Sequence, residues 1–356
     1  MKLRLLVLFL TIFIGCCRKP DELNNTPIGI PPYVAYALRP ISGAVTVTVI
    51  DMEKDSIVGI HRVAKGREYL SDLALGPDSM LYLTMSDKDL DHTGKVIRIF
   101  DPEEGKIIKD VEVDLDPERI YALPNGKAII AHQLRRFIDT SFITTVFDMR
   151  SQNVRKIIKM KTILGSVLFH PSNEIYFFYL YLPPFFDQSI LFRYDQENDT
   201  LAEKTILSDT LNTEVIVFGT ATKLYSAFED SISIYDFPSG HKLKVIQIGK
   251  PSADLLTLPN GKVYVAHNTF EAWRYGNYDS LSIIDVNTDE VIKTIQVCKG
   301  PRSMAYSKDL NKVYVAGNLG TRISVINPEN DSVIKNIVSD LASEDEWGYS
   351  KIIVNR

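Results

Sequence analysis

The sequence predicts an all-β fold, a seven-bladed β-propeller of four-stranded antiparallel blades whose first blade is closed by the C-terminal strand. Three observations predict it. Seven times, a β-rich run ends on an aliphatic or aromatic residue followed by Asp or Asn: Ile50-Asp51, Phe100-Asp101, Phe147-Asp148, Tyr194-Asp195, Tyr235-Asp236, Ile284-Asp285 and Ile326-Asn327. The steps between them are 50, 47, 47, 41, 49 and 42 residues, the length of one four-stranded blade. The ends of the array also match. The chain enters at Tyr33-Val34-Ala35-Tyr36-Ala37, which reads as a second strand, and Tyr349 to Val354 is an apolar strand left without a blade. That last strand supplies the innermost strand of the first blade, and the ring then has no open end at which sheets could slip. Finally, no amphipathic helical stretch of three turns occurs after Ile14.

Taken from the start, Lys2 and Arg4 form a short positive region before Leu5 to Ile14, which is apolar apart from Thr11. The apolar stretch is about half of what a spanning helix needs, so residues 1–15 read as a signal peptide. Phe13-Ile14-Gly15-Cys16 resembles a bacterial lipobox. The resemblance implies that Cys16 takes a diacylglycerol thioether and becomes the mature N-terminus, held at a membrane by its acyl chains. An ordinary secretory signal with a chance cysteine is the competing reading. Residues 16–32 follow as a polar stretch with Pro20, Pro27, Pro31 and Pro32, expected to be a flexible tether. Within it, Lys19-Pro20-Asp21-Glu22 resembles the charged surface-export signal of Bacteroidota lipoproteins. The expected location is the cell envelope, extracytoplasmic and lipid-anchored, at the outer membrane or cell surface if the cell is Gram-negative.

From residue 33 to residue 356 the blades repeat. Pro77-Asp78-Ser79, Pro124-Asn125-Gly126 and Pro259-Asn260-Gly261 connect the first two strands of a blade, since these residues tolerate positive φ. Asp55-Ser56, Glu104-Gly105, Asp199-Thr200, Ser239-Gly240, Thr288-Asp289 and Asp331-Ser332 turn the third strand into the fourth. The clearest copies are Lys262-Val263-Tyr264-Val265-Ala266-His267-Asn268 and Lys312-Val313-Tyr314-Val315-Ala316-Gly317-Asn318. They resemble the YVTN family of propeller repeats, which implies a rigid binding or surface protein. Asp followed by Ser or Thr and an aliphatic recurs at Asp55, Asp199, Asp209, Asp230, Asp279 and Asp331. It resembles a Bacteroidota O-glycosylation signal, although turn chemistry explains most copies.

The connections from second to third strand and from fourth to first share one face, and that face carries the insertions Ser86 to Gly94, Gln133 to Ser141, Leu182 to Gln188 and Asn268 to Ser280. Long loops on a rigid ring usually carry binding. The candidate ligand-binding residues are Arg135, Arg136, Phe137, Phe185, Phe186, Phe270, Trp273, Arg274, Tyr275 and Tyr278. Aromatic rings and arginines anchor protein interfaces and stack on sugars. The alternative is that these rings fold back to cap the insertions. The expected partner is therefore a protein or glycan at the cell envelope, with the membrane held through the lipid on Cys16, and a monomer is expected.

A competing function is a metal-assisted lyase or lactonase on the same face. His132 and His267 end second strands and His92 lies in a neighbouring loop, with Asp87, Asp89 and Glu271 as carboxylates. Blades three and six are far apart in such a ring, so the two strand-end histidines are expected not to meet. His61, His170 and His241 fall on the outer strand or the opposite face and look structural. Asp87, Asp89 and Asp91 alternate as in a calcium loop, but Arg98 stands where a closing glutamate belongs, which favours a solvated acidic loop. No His-Glu-x-x-His, Gly-x-Ser-x-Gly, dinucleotide or phosphate-loop pattern occurs, so no cofactor is implied. The net charge of −5 without a basic stripe disfavours nucleic acid. Cys17 adjoins Cys16 in the tether and Cys298 stands alone in the propeller, so no disulfide framework is expected.

Overall fold

The structure is a computed structural model describing residues 25–41, 44–65, 68–87, 94–132, 142–180, 189–208, 215–268, 278–339 and 348–355. Its strands form seven four-stranded antiparallel sheets. Blade 1 orders β28 (Lys351–Val354), β1 (Val34–Ile41), β2 (Ala44–Asp51) and β3 (Ser56–Lys65). Blade 2 holds β4–β7 (69–112), blade 3 β8–β11 (117–160) and blade 4 β12–β15 (164–206). Blade 5 holds β16–β19 (215–247), blade 6 β20–β23 (252–296) and blade 7 β24–β27 (301–338). The predicted closure is present: Ala35 to Leu38 pair with Val354 to Lys351, antiparallel, and Ser350 N donates to Leu38 O at 2.9 Å.

The period-2 rule of strands sorts each buried second strand between two neighbours. In Val263-Tyr264-Val265-Ala266, Val263 and Val265 pack with blade 5, whereas Tyr264 and Ala266 pack with blade 7. Every junction has its own apolar cluster of this kind, so the core is a ring of seven interfaces. This explains why second strands read as continuous apolar runs: both faces are inside.

The periodic Asp or Asn has a physical cause. At the end of third strands its Oδ1 accepts backbone N–H groups two or three residues on: Asp51 accepts from Glu53 and Lys54 (3.0 and 3.1 Å), and Asp285 from Asn287 and Thr288 (2.7 and 3.3 Å). Asp101, Asp148, Asp195 and Asn327 do the same. Just before this residue the pairing of third with fourth strand carries a bulge in each blade. The side-chain oxygen thus takes over donors that the broken ladder leaves unpaired.

The segment expected to be tether is docked from Asn25 onward. Asn25 receives the Arg62 N–H at 2.8 Å and donates to Arg62 O and Gly105 O, while Ile28 N donates to Glu103 O at 2.8 Å. Ile28 and Ile30 pack on the cluster between blades 1 and 2. Cys16, Cys17 and the charged stretch after them lie outside the described residues.

Candidate functional site

The ends of the second and third strands place the foot of each long connection on one face of the ring. Of the candidate binding residues, Tyr278 is described. It is half-buried at the foot of its loop, and its carbonyl accepts the Gly300 N–H at 2.6 Å. Arg135, Arg136, Phe137, Phe185, Phe186, Phe270, Trp273, Arg274 and Tyr275 lie outside the described residues, as do Asp89, Asp91, His92 and Glu271. Asp87 ends β5 (Leu81–Asp87) at the start of one such loop.

The strand-end histidines are brought to equivalent places but not together, since His132 belongs to blade 3 and His267 to blade 6. Both are buried. His132 Nδ1 lies 2.9 Å from Leu115 O and Nε2 2.9 Å from Thr145 Oγ1, which ties its strand to the preceding connection and to the third strand. His267 Nε2 lies 2.7 Å from Ser282 Oγ, and burial together with nearby Lys250 pushes its imidazole down to about 4. Burial likewise lowers His132. Enclosed imidazoles that brace strands give no support to a reaction driven by His132 or His267. His61 is buried on β3, whereas His170 sits in a hairpin of the opposite face, its Nε2 2.9 Å from Ala221 O of the next blade.

A second concavity runs along the axis. The innermost strands are β28, β4 (Tyr69–Leu75), β8 (Pro117–Ala122), β12 (Leu164–Phe169), β16 (Val215–Thr220), β20 (Ser252–Leu258) and β24 (Pro301–Ser307). They surround a cavity of about 840 Å³. Register makes seven of its lining residues equivalent. Lys351, Asp72, Arg119, Ser166, Val215, Asp254 and Ser303 pair with Leu38, Thr84, Ala131, Phe178, Ala227, Ala266 and Ala316, one position in each second strand.

Several of these side chains reach the next blade. Asp72 accepts the Ile120 N–H at 3.1 Å, Asp254 the Met304 N–H at 2.8 Å, and Ser303 Oγ the Ile352 N–H at 3.2 Å. Arg119 donates to Gly165 O at 2.8 Å, and Lys351 Nζ lies 3.7 Å from Asp72. Burial pushes the Asp254 carboxyl up to about 6, against the pull of Lys351 and Arg119, and Asp72 holds the Lys351 ammonium above its ordinary value. Charged side chains line blades 6, 7, 1, 2 and 3 (Asp254, Arg302, Lys351, Asp72, Glu118 and Arg119), while Ser166, Leu168, Val215 and Val217 line blades 4 and 5, where Glu229 is the lining carboxylate.

Sequence reasoning passed over this ring. Its signal is a charged or hydroxyl residue at one fixed offset before the first hairpin of blades 2, 3, 4, 6 and 7, with Val215 at that offset in blade 5. A second pattern was also read differently. Asp55, Asp199 and Asp331, which share the Asp-Ser/Thr motif, are buried and hold the preceding blade. Lys262 Nζ and Tyr264 Oη sit 2.7 and 2.5 Å from the Asp331 oxygens, and Lys312 and Tyr314 sit 2.8 and 2.7 Å from those of Asp55. Lys127 reaches Asp199 at 2.5 Å, and Lys223 with Tyr225 reaches Asp289. By contrast Asp230 is exposed and Asp279 half-buried, while Asp209 lies outside the described residues.

No family model matches this sequence, and no curated protein does. Among solved structures the chain is similar to the dihydro-heme d1 dehydrogenase NirN in complex with DHE, at 12% identity and TM-score 0.62, over 94% of this chain and 78% of that one. It is equally similar to a functionally unknown protein from Desulfotomaculum acetoxidans DSM 771, at 13% identity and TM-score 0.62, over 88% of this chain and 98% of that one. The Dos1 propeller matches at 14% identity and TM-score 0.54, over 80% of this chain and 73% of that one. At these identities the likeness is one of fold.

Proposed function

We propose that this protein is a membrane-anchored extracytoplasmic lipoprotein of YVTN type, acting as a non-catalytic binding module that offers its long-loop face to a protein or glycan. One observation carries the reading: in the described strands His132 and His267 brace neighbouring strands and the Lys-Tyr-Asp triplets latch adjacent blades, while the long connections all leave one face. A rigid ring of this kind fixes where variable loops stand, which lowers the ordering cost of binding.

The test begins with capture of a partner from intact envelopes, alongside a glycan array. Combined replacement Trp273→Ala, Arg274→Ala and Tyr275→Ala is expected to abolish capture while leaving the melting temperature nearly unchanged. A partner held equally well by the triple variant would remove the binding surface from that loop. Anchoring is read separately. Cys16→Ser is expected to release the protein from the membrane fraction and to end palmitate labelling, and continued labelling of the variant would place the lipid elsewhere.

A further inference from the structure

From the axial cavity, we infer that the channel is a second binding site, for a small molecule that carries both an ammonium and a carboxylate on an apolar remainder, as a free apolar amino acid does. Its wall is built mainly from first strands, with Asn268 at the foot of one insertion also on the lining.

The argument starts from spare hydrogen-bonding capacity. Asp254 accepts Leu255 N–H on one oxygen and Met304 N–H on the other, at 2.9 and 2.8 Å. A carboxylate offers about four lone-pair sites, so roughly two are left, and the residue is only half-buried where it meets the cavity. Lys351 is the reverse case. Its ammonium has three donors, yet among the described residues its close charge partner is Asp72 at 3.7 Å, outside hydrogen-bond range, and its side chain is 36% exposed. One blade separates them, and each contributes to the electrostatic field felt by the other. An anion acceptor and a cation acceptor thus share one wall of the same cavity.

The apolar remainder of the ligand has one stretch of wall to lie on. Val215, Val217, Leu168 and Leu256 line blades 4 to 6, with the charged Glu118, Arg119, Glu229 and Arg302 elsewhere on the lining. A molecule with one charge engages either Asp254 or Lys351 and leaves the other to channel water. A zwitterion satisfies both. The cavity of about 840 Å³ lies within the usual range for small-molecule pockets.

Calorimetric titration of the full chain with three probes tests this: L-phenylalanine, 2-phenylethylamine and 3-phenylpropanoate. The zwitterion is expected to bind at least about tenfold more tightly than either singly charged analogue. Lys351→Met keeps the backbone pairing of β28 and is expected to erase the preference for phenylalanine over 2-phenylethylamine. Asp254→Asn is expected to erase the preference over 3-phenylpropanoate. If either variant fails to fold, the ranking of the three probes on the unaltered protein still decides. Binding of none of them, equal binding of all three, or unchanged preferences in a folded variant would overturn the site. The triple loop variant is expected to bind phenylalanine normally, so failure of the loop surface and failure of the channel are told apart.

Discussion

The junction between blades 6 and 7 and the junction between blades 4 and 5 solve the same problem with different chemistry. At the first, Lys262 and Tyr264 of blade 6 close on Asp331 in the turn of blade 7, Lys262 also reaches Pro328 O, and Lys293 donates to Asp331 O at 2.8 Å. At the second, Gly240 stands in the turn where Asp331 stands in blade 7, so that position offers no carboxylate. Gly240 has φ of 75°, and a Cβ there would lie 2.1 Å from Ile206 O, so glycine lets the two blades approach. Rings take over the junction. Tyr176, His170, Phe218 and Phe237 meet mostly edge to face, with centroids 4.7–6.0 Å apart. A charged latch needs matched residues on two blades and therefore leaves a repeating signature. An apolar junction needs only complementary shape and leaves none.

The comparison can be broken most forcefully at the aromatic junction. Phe218 is 5% exposed and packs against three other rings. Phe218→Ala is expected to cost about 3–5 kcal/mol in urea unfolding, with little dependence on salt. A loss below about 1 kcal/mol would mean that the rings merely fill space.

Asp331→Ala at the latched junction is expected to cost about 3 kcal/mol, because Lys262 stays enclosed without its partner. The sharper form is a double replacement, Lys262→Met with Asp331→Ala. It should recover part of the loss, since the stranded charge is gone, and a double variant as unstable as the sum of the singles would argue against coupling.

The channel ring separates from the latches by its pH dependence. Asp254 keeps its proton to about 6 in the folded protein, against 3.8 for the ordinary side chain. Between those values the folded state binds more protons than the unfolded state, so this contribution to stability falls as pH rises from 4 to 6 and is flat above. Channel water screens the group, so about 1–2 kcal/mol is expected, and Asp254→Asn should flatten that limb of the curve. Asp199 runs the other way. Burial alone would raise it, but hydrogen bonds from Lys127, Tyr194 and Arg155 outweigh burial and hold it below its ordinary value. Its contribution is present above pH 3.8 and is lost as pH falls. Denaturation curves of Asp254→Asn and Asp199→Asn across pH 3–7 check both signs.

The smallest effect belongs to the outer clasp. Lys293→Ala is expected to cost only about 0.5 kcal/mol, because the exposed ammonium bonds carbonyls that water can also serve. A loss above about 2 kcal/mol would place the strength of the ring at its rim rather than at its inner strands.

How much was legible follows from these contrasts. Blade count, closure by the C-terminal strand and the turn role of Asp51, Asp285 and their counterparts depend on local chemistry and period, and the structure contains them. The separation of His132 from His267 also follows from counting blades. The docking of Asn25 and Ile28 was missed, because a proline-rich polar stretch reads as extended whether or not a wall stands beside it. The channel ring was missed because Asp72, Asp254 and Lys351 are single charges, each unremarked within its own strand.

By itself, the sequence determined what repeats: strand period, turn carboxylates and an orphan strand are set by residues near one another along the chain. The tertiary structure alone decided what meets. Asp331 finds Lys262, Asp55 finds Lys312 and Lys351 comes beside Asp72 across 69, 257 and 279 residues of chain. Those pairings exist because closing the ring brings equal registers of adjacent blades side by side, and no local propensity encodes which blade a side chain will face.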